Sequence, residues 1–155
     1  MKARVAAAAT DADLARARTL LEEYAASLDF GLEFQDFAAE LAAFPGDYGP
    51  PRGRVLLAAA AGEAVGCVCL RPLEGDICEM KRLYLKPAWR GRGLGRALAA
   101  ALLDEARRLG YARMRLDTVA PMAAANALYR SLGFREIPPY RHNPLPDALF
   151  FELIL

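Results

Sequence analysis

The stretch Pro87-Ala88-Trp89-Arg90-Gly91-Arg92-Gly93-Leu94-Gly95-Arg96 sets three glycines at alternate positions among three arginines, directly ahead of an apolar pattern of helical period. Glycine lets a backbone turn sharply and approach a ligand closely, and a helix starting near Leu94 would add unpaired NH groups and partial positive charge. Together they describe a place for an anion held by main-chain NH groups. The loop also dictates its flanks, a strand before it and a long helix behind it.

Hydrophobic periodicity supplies the rest of the outline. Residues 3 to 9 read as a first strand. Thr10 and Asp13 form a capping signal ahead of Leu14, Ala17, Leu21, Tyr24 and Leu28, which recur at helical spacing. A second segment carrying Phe30, Leu32, Phe34, Phe37, Leu41 and Phe44 reads as helical from Glu33 and stops at Pro45-Gly46. Val55 to Ala61, Ala64 to Leu70 and Ile77 to Leu85 read as three consecutive strands, an antiparallel meander. Behind the loop, Leu94, Leu98, Ala101, Leu102, Ala106 and Leu109 mark a long helix ending at Gly110. Met114 to Val119, Met122 to Leu132, Phe134 to Ile137 and Ala148 to Leu155 read as strand, helix, strand and strand. The order β-α-α-β-β-β-α-β-α-β-β predicts a mixed α/β sheet with helices on its faces, in one domain over residues 1–155.

Composition narrows the partners. Twenty Lys and Arg against nineteen Asp and Glu leave a net charge of +1, without the basic excess that nucleic-acid binding brings. No stretch approaches a membrane span, and the N-terminal run is too short and weakly apolar for a secretory signal. Cys67, Cys69 and Cys78 lack metal-ligand spacing, and His142 is the single histidine, so no metal site is expected. These features predict a cytoplasmic protein with reduced thiols.

The loop is neither of two common phosphate binders. Its glycines are spaced G-x-G-x-G, not G-x-G-x-x-G, and the Gly-Lys-Ser/Thr of a P-loop is missing. Arg90-x-x-Gly93-x-Gly95, followed downstream by Leu128-Tyr129-Arg130-Ser131-Leu132-Gly133-Phe134, resembles the GNAT superfamily of N-acyltransferases. The resemblance covers about residues 54 to 137. It implies that Arg90, Gly91, Arg92, Gly93, Leu94, Gly95 and Arg96 hold the pyrophosphate of acetyl-coenzyme A. It also implies main-chain roles on the preceding strand, with Leu83 facing the thioester carbonyl and Leu85 holding the pantetheine amide. Tyr129 matches the family tyrosine assigned as acid for the leaving thiolate, and Glu79 falls where some members place a general base. Many members carry an asparagine at the position of Met122, and Asn126 is not in register to replace it.

The resemblance implies transfer of an acetyl group from acetyl-coenzyme A to a primary amine of a small molecule by direct attack. Two alternatives stay open: a protein N-acetyltransferase acting on lysine or N-terminal amines, and a catalytically silent acyl-coenzyme A-binding module. A Cys78 nucleophile is a further, minor reading, and a homodimer is an allowed assembly. Tyr24, Phe30 and Tyr48 are expected as walls of the acceptor pocket, with the Tyr140 to Pro144 loop, where His142 either faces solvent or lines the pocket. Glu79 and Asp117 would attract the amine, and Arg71, Lys81 and Arg82 leave room for a carboxylate on the same substrate.

Overall fold

The computed structural model describes residues 2–28 and 36–155. Its elements are β1 (Arg4–Ala7), α1 (Asp11–Ser27), α2 (Phe37–Ala43), β2 (Arg54–Ala60), β3 (Glu63–Glu74), β4 (Ile77–Leu85), α3 (Leu94–Arg108), β5 (Arg113–Val119), α4 (Ala123–Ser131), β6 (Arg135–Ile137) and β7 (Ala148–Ile154). The strands form one seven-stranded sheet ordered β1-β2-β3-β4-β5-β7-β6. The mixed α/β order read from the sequence is the order observed.

Local chemistry accounts for the element ends. The Asp13 amide donates to Thr10 Oγ1 at 3.1 Å and the Ala9 amide donates back to Asp13 Oδ2 at 3.2 Å, so two otherwise orphaned donors are satisfied where α1 begins. Side-chain alternation then builds a core on each face of the sheet. Val65, Val68, Met80, Met114, Leu116 and Phe151 point toward α3, which buries Leu98, Ala99 and Leu102 among them. Val55, Leu57, Cys67, Cys69 and Tyr84 point the other way, against Ala17, Leu20 and Leu21 of α1. Several boundaries shift by a residue or two, and the end of β3 differs most among the described residues. β3 runs on through Arg71 and Pro72 to Glu74, because Pro72 lies at an irregularity in the ladder with β4, where a missing NH is tolerated.

The sheet's one parallel pair positions the site. β4 and β5 are in register only from Ile77 to Glu79 against Arg113 to Arg115, although both strands continue beyond. On the other side of β4, Cys67 pairs with Tyr84 and Cys69 with Lys81, so Arg82 and Leu83 have no partner in β3. This is a bulge, with Arg82 at φ +63° in the left-handed region. The backbone at Arg82 and Leu83 is therefore outside the register of both neighbouring strands.

The bulge also turns Arg82 into the anchor for α2. Its guanidinium, 2% exposed, donates from Nε to Glu40 Oε2 and from Nη2 to Glu40 Oε1, each at 2.9 Å. The Phe37 ring lies 5.1 Å and the Tyr24 ring 6.0 Å from the guanidinium carbon. No residue of α2 is fully buried, and the clamp joins the half-buried Phe37 and Leu41, which pack on the α1-side core, in attaching that helix to the sheet. Glu40→Ala leaves a buried guanidinium without its counter-charge, and urea unfolding should show a loss of about 3–5 kcal/mol. A loss below about 1 kcal/mol, the range of an exposed pair, would show that α2 is held by something else.

Candidate functional site

The loop before α3 has the geometry its glycines suggest. Gly91 at φ +75° and Gly93 at φ +81° are left-handed, and Gly93 caps α3, its carbonyl accepting from the Ala97 amide at 3.1 Å. A Cβ added at either glycine would meet nothing within 4 Å, so the turn is open to an approaching group. Arg90 donates from Nε to the Leu85 carbonyl at 3.0 Å, Arg92 lies 4.8 Å over the Trp89 ring, and Arg96 donates to Ser131 Oγ at 2.7 Å. None of the three is ion-paired with a carboxylate among the described residues. Three uncompensated guanidiniums at a helix start suit a polyphosphate.

From this loop a groove of about 580 Å³ runs between the end of β4 and the start of α4. Leu83, Leu85, Arg90, Gly91 and Gly95 line one side, Pro121 to Ala125 and Leu128 the other, with Tyr24, Ser27 and Leu28 from α1 and its end. A Cβ on Gly95 would sit 3.6 Å from both Leu85 and Leu128, so that glycine forms part of the groove wall. Charge at one end, out-of-register strand backbone along the length and a hydroxyl beyond fit an acyl-coenzyme A in that order.

A second, smaller cleft of about 90 Å³ adjoins the groove, and the two share Tyr24, Leu83, Met122 and Ala125. Lys81, Arg82, Asp117, Thr118, Tyr129, Asn143 and Leu145 also line it. Tyr129 is packed between Phe134 and Phe151, with ring centroids 5.9 and 6.3 Å away. Burial first, then the nearness of Tyr24 and Asp117, pushes its hydroxyl pKa up, so it keeps its proton. Lys81 Nζ lies 3.6 Å from Asp117 Oδ1, both side chains under 5% exposed. Burial pushes the Lys81 ammonium down to about 8, against the pull of Asp117 and Glu79.

Glu79, the last residue of β4 in register with β5, lies at the vertex of the split. Its carboxylate is fully buried. Oε1 accepts from Arg71 Nε and lies 2.9 Å from Arg71 Nη2; Oε2 accepts from the Tyr140 hydroxyl at 2.6 Å and from Arg141 Nη2. Burial would raise its pKa, but Lys81, Arg141 and Arg71 with the Tyr140 hydrogen bond outweigh it and hold the carboxyl below its usual range.

Several expected residues fall elsewhere. Tyr24 does line both the groove and the cleft, but Tyr48 is 3% exposed and packs in the α1-side core against Phe44. Phe30 and Phe34 lie outside the described residues. Arg82 is committed to Glu40, and His142 is exposed while Asn143, beside it, lines the cleft. Asn126 donates to the Val119 carbonyl at 3.0 Å, joining α4 to the end of β5, which is why it cannot stand in for the missing asparagine. All three cysteines are buried; Cys78 lies in the α3-side core, where burial pushes its thiol up to about 12, and does not line the cleft. Arg141 was not singled out by the sequence, whose signal there was only a polar cluster between prolines.

A groove for a coenzyme A thioester meeting a polar cleft defines the class as an acyltransferase. The Acetyltransferase (GNAT) family model matches residues 16–134, and the chain belongs to that family. It is 41% identical over 143 residues to an uncharacterized N-acetyltransferase of Schizosaccharomyces pombe, covering 91% of this chain and 88% of that protein. It is 34% identical over 112 residues to the N-acetylaspartate synthetase of Homo sapiens, covering 67% of this chain and 37% of that one. Among solved structures, YncA of Salmonella typhimurium with its cofactor acetyl-CoA superposes with a TM-score of 0.76 at 25% identity, over 98% of this chain and 93% of that one. The protein is a GNAT-family acetyltransferase that uses acetyl-coenzyme A to modify an amine.

Gly95→Val should leave the fold intact and obstruct the groove between Leu85 and Leu128. Titration calorimetry is expected to show acetyl-coenzyme A affinity falling about tenfold or more. Unchanged affinity would remove the groove from the binding site.

Proposed function

We propose that the protein acetylates the primary amine of a small molecule, by direct attack within the cleft between β4 and β5. One observation carries this reading: the large groove and the small polar cleft meet at Leu83, so a donor and a compact acceptor can share one point. Holding two reactants together at that point supplies much of the rate. A cleft of about 90 Å³ suits a small amine better than an extended peptide, which needs an open groove.

Acetyl-coenzyme A, when bound, supplies an activated acetyl thioester. Arg90 to Arg96 fix its phosphates, and Leu85 and Leu83 present strand backbone along the groove, Leu83 as hydrogen-bond donor to the acetyl carbonyl. Tyr129, kept protonated by its burial, gives its proton to the departing sulfur. Glu79 has a different part from the base first expected of it. Three hydrogen bonds and a second guanidinium nitrogen at ion-pair distance surround its carboxylate, so it orders Arg71, Tyr140 and Arg141 instead of taking a proton. Lys81 and Asp117 form the buried ion pair lining the cleft, and the acceptor's amine proton leaves toward them.

Tyr129→Phe should lower kcat at least tenfold while acetyl-coenzyme A affinity changes little, since the lost proton donor acts only as the thiolate departs. Release of free thiol with a panel of amines measures the first and calorimetry the second. An unchanged kcat would return Tyr129 to a packing role, and absence of turnover with every amine would favour the silent binding module. The Lys81 amine must be neutral to accept a proton, so kcat/KM should carry a rise with pH through about 8, separate from the later rise as the acceptor amine itself deprotonates. Lys81→Met should abolish that rise; its persistence would exclude Lys81 as the proton acceptor.

A further inference from the structure

We propose that Met122 sets the length of the acyl chain the enzyme transfers, by closing the junction between groove and cleft to chains longer than acetyl. The inference rests on the thioester carbonyl lying at Leu83, as given above, and not on which amine accepts the group. Groove and cleft share four lining residues, Tyr24, Leu83, Met122 and Ala125. With the carbonyl at the Leu83 NH, the carbon chain attached to it lies among the side chains of those four. The junction is therefore where acyl length is felt.

The four residues are not equivalent. Tyr24 stands edge-on to Tyr84, ring centroids 6.0 Å apart, with the Arg82 guanidinium carbon 6.0 Å from its ring. Leu83 is fixed by the bulge in β4, and Ala125 ends at its Cβ. Met122 is the one long, unbranched side chain of the set. It stands half-buried at the cap of α4, and its Sδ accepts from Thr118 Oγ1 of β5 at 3.7 Å. Thr118 lines the cleft, so this contact holds the thioether at the mouth between the two spaces. Where many members of the family carry an asparagine, this chain presents a bulky apolar group to the acyl carbon.

The space beyond Met122 is small and does not yield. Met80 and Leu116, on the apolar side of the cleft, are 3% and 2% exposed and belong to the α3-side core. A close-packed interior admits an extra methylene only with strain. The same cleft of about 90 Å³ must also receive the acceptor. In the transfer the acceptor nitrogen bonds to the acyl carbon as the carbon–sulfur bond breaks; Tyr129 gives the sulfur its proton, and the nitrogen loses one toward Lys81 and Asp117. The acyl chain passes through this step unaltered, so each added methylene takes room the acceptor needs. An acetyl methyl ends at the junction, whereas propionyl and butyryl chains meet the Met122 thioether.

The test compares acetyl-, propionyl- and butyryl-coenzyme A on the intact protein and on Met122→Ala, by thiol release with a panel of amines and by calorimetry, with free coenzyme A as the reference for each protein. In the wild-type protein kcat/KM should fall about tenfold or more with each added methylene, and butyryl-coenzyme A should bind about tenfold more weakly than acetyl-coenzyme A. Met122→Ala should raise the butyryl-to-acetyl ratio about tenfold or more in both readouts, while Met122→Leu, of similar volume, should keep the wild-type ratio. The turn into α4 survives truncation, because the Met122 amide donates to the Val119 carbonyl at 3.1 Å and its carbonyl accepts from the Asn126 amide at 3.0 Å, both through main chain. An unchanged ratio in Met122→Ala would overturn the proposal, as would a wild-type protein that binds and turns over butyryl-coenzyme A as well as acetyl-coenzyme A. If no amine is turned over, the affinity ratio alone decides. Failure of all three thioesters to bind would overturn the groove as the donor site, and this inference with it.

Discussion

The parting of β4 from β5 after the Glu79–Arg115 pair is the constraint on which the rest of the molecule depends. A sheet interior does not leave backbone without partners, because each unpaired buried NH or carbonyl costs about as much as a lost hydrogen bond. Here the bulge at Arg82 takes two residues out of the β3 ladder on one side, and the divergence takes them out of the β5 ladder on the other. The gap persists because both ends are pinned. Glu79 holds the vertex through hydrogen bonds from three side chains, and the Arg82–Glu40 clamp holds the flank through α2.

Charge at this site is arranged by burial as much as by sequence. Lys81, Asp117, Glu79 and Arg82 are all largely withdrawn from water, where ions are costly unless paired. Pairing keeps Glu79 ionised despite its burial, whereas Lys81, with burial the larger influence, is pushed toward neutrality. The same interior thus holds a fixed anion and a titratable amine a short distance apart. The glycine loop uses the opposite strategy, with its arginines left exposed and uncompensated where a phosphate can reach them. Fixed dipoles and charges of this kind are in place before a ligand arrives, so little reorganisation accompanies binding.

Much of this was legible in the chain. The alternation of Val55 to Leu85, the period of Leu94 to Leu109 and the capping signal at Thr10 are local statements about which backbone a residue run can adopt, and they hold wherever the run is placed. The Arg90 to Arg96 loop is local in the same sense, since φ above zero at Gly91 and Gly93 follows from residue type. Other features depended on which neighbours the fold brings together. Tyr48 carries the same aromatic ring as Tyr24, and only their positions separate a core residue from a cleft wall. The strand pattern ends at Leu70, yet β3 runs on through Arg71 and Pro72 because the ladder with β4 tolerates the proline there.

What the sequence by itself determined is the order of elements, the glycine turn ahead of α3 and the tyrosine-bearing helix, because periodicity and backbone freedom act within a few residues. The tertiary structure alone decided the roles of the charged groups. Glu79 became the centre of a hydrogen-bonded cluster because Arg71, from the neighbouring strand, and Tyr140 and Arg141, from a loop some sixty positions away, occupy its oxygens. Arg82 became the tether of α2 because a bulge turned it toward Glu40. The charge, protonation and exposure of such a group are set by what lies within a few ångströms in space, and residue type does not record that distance.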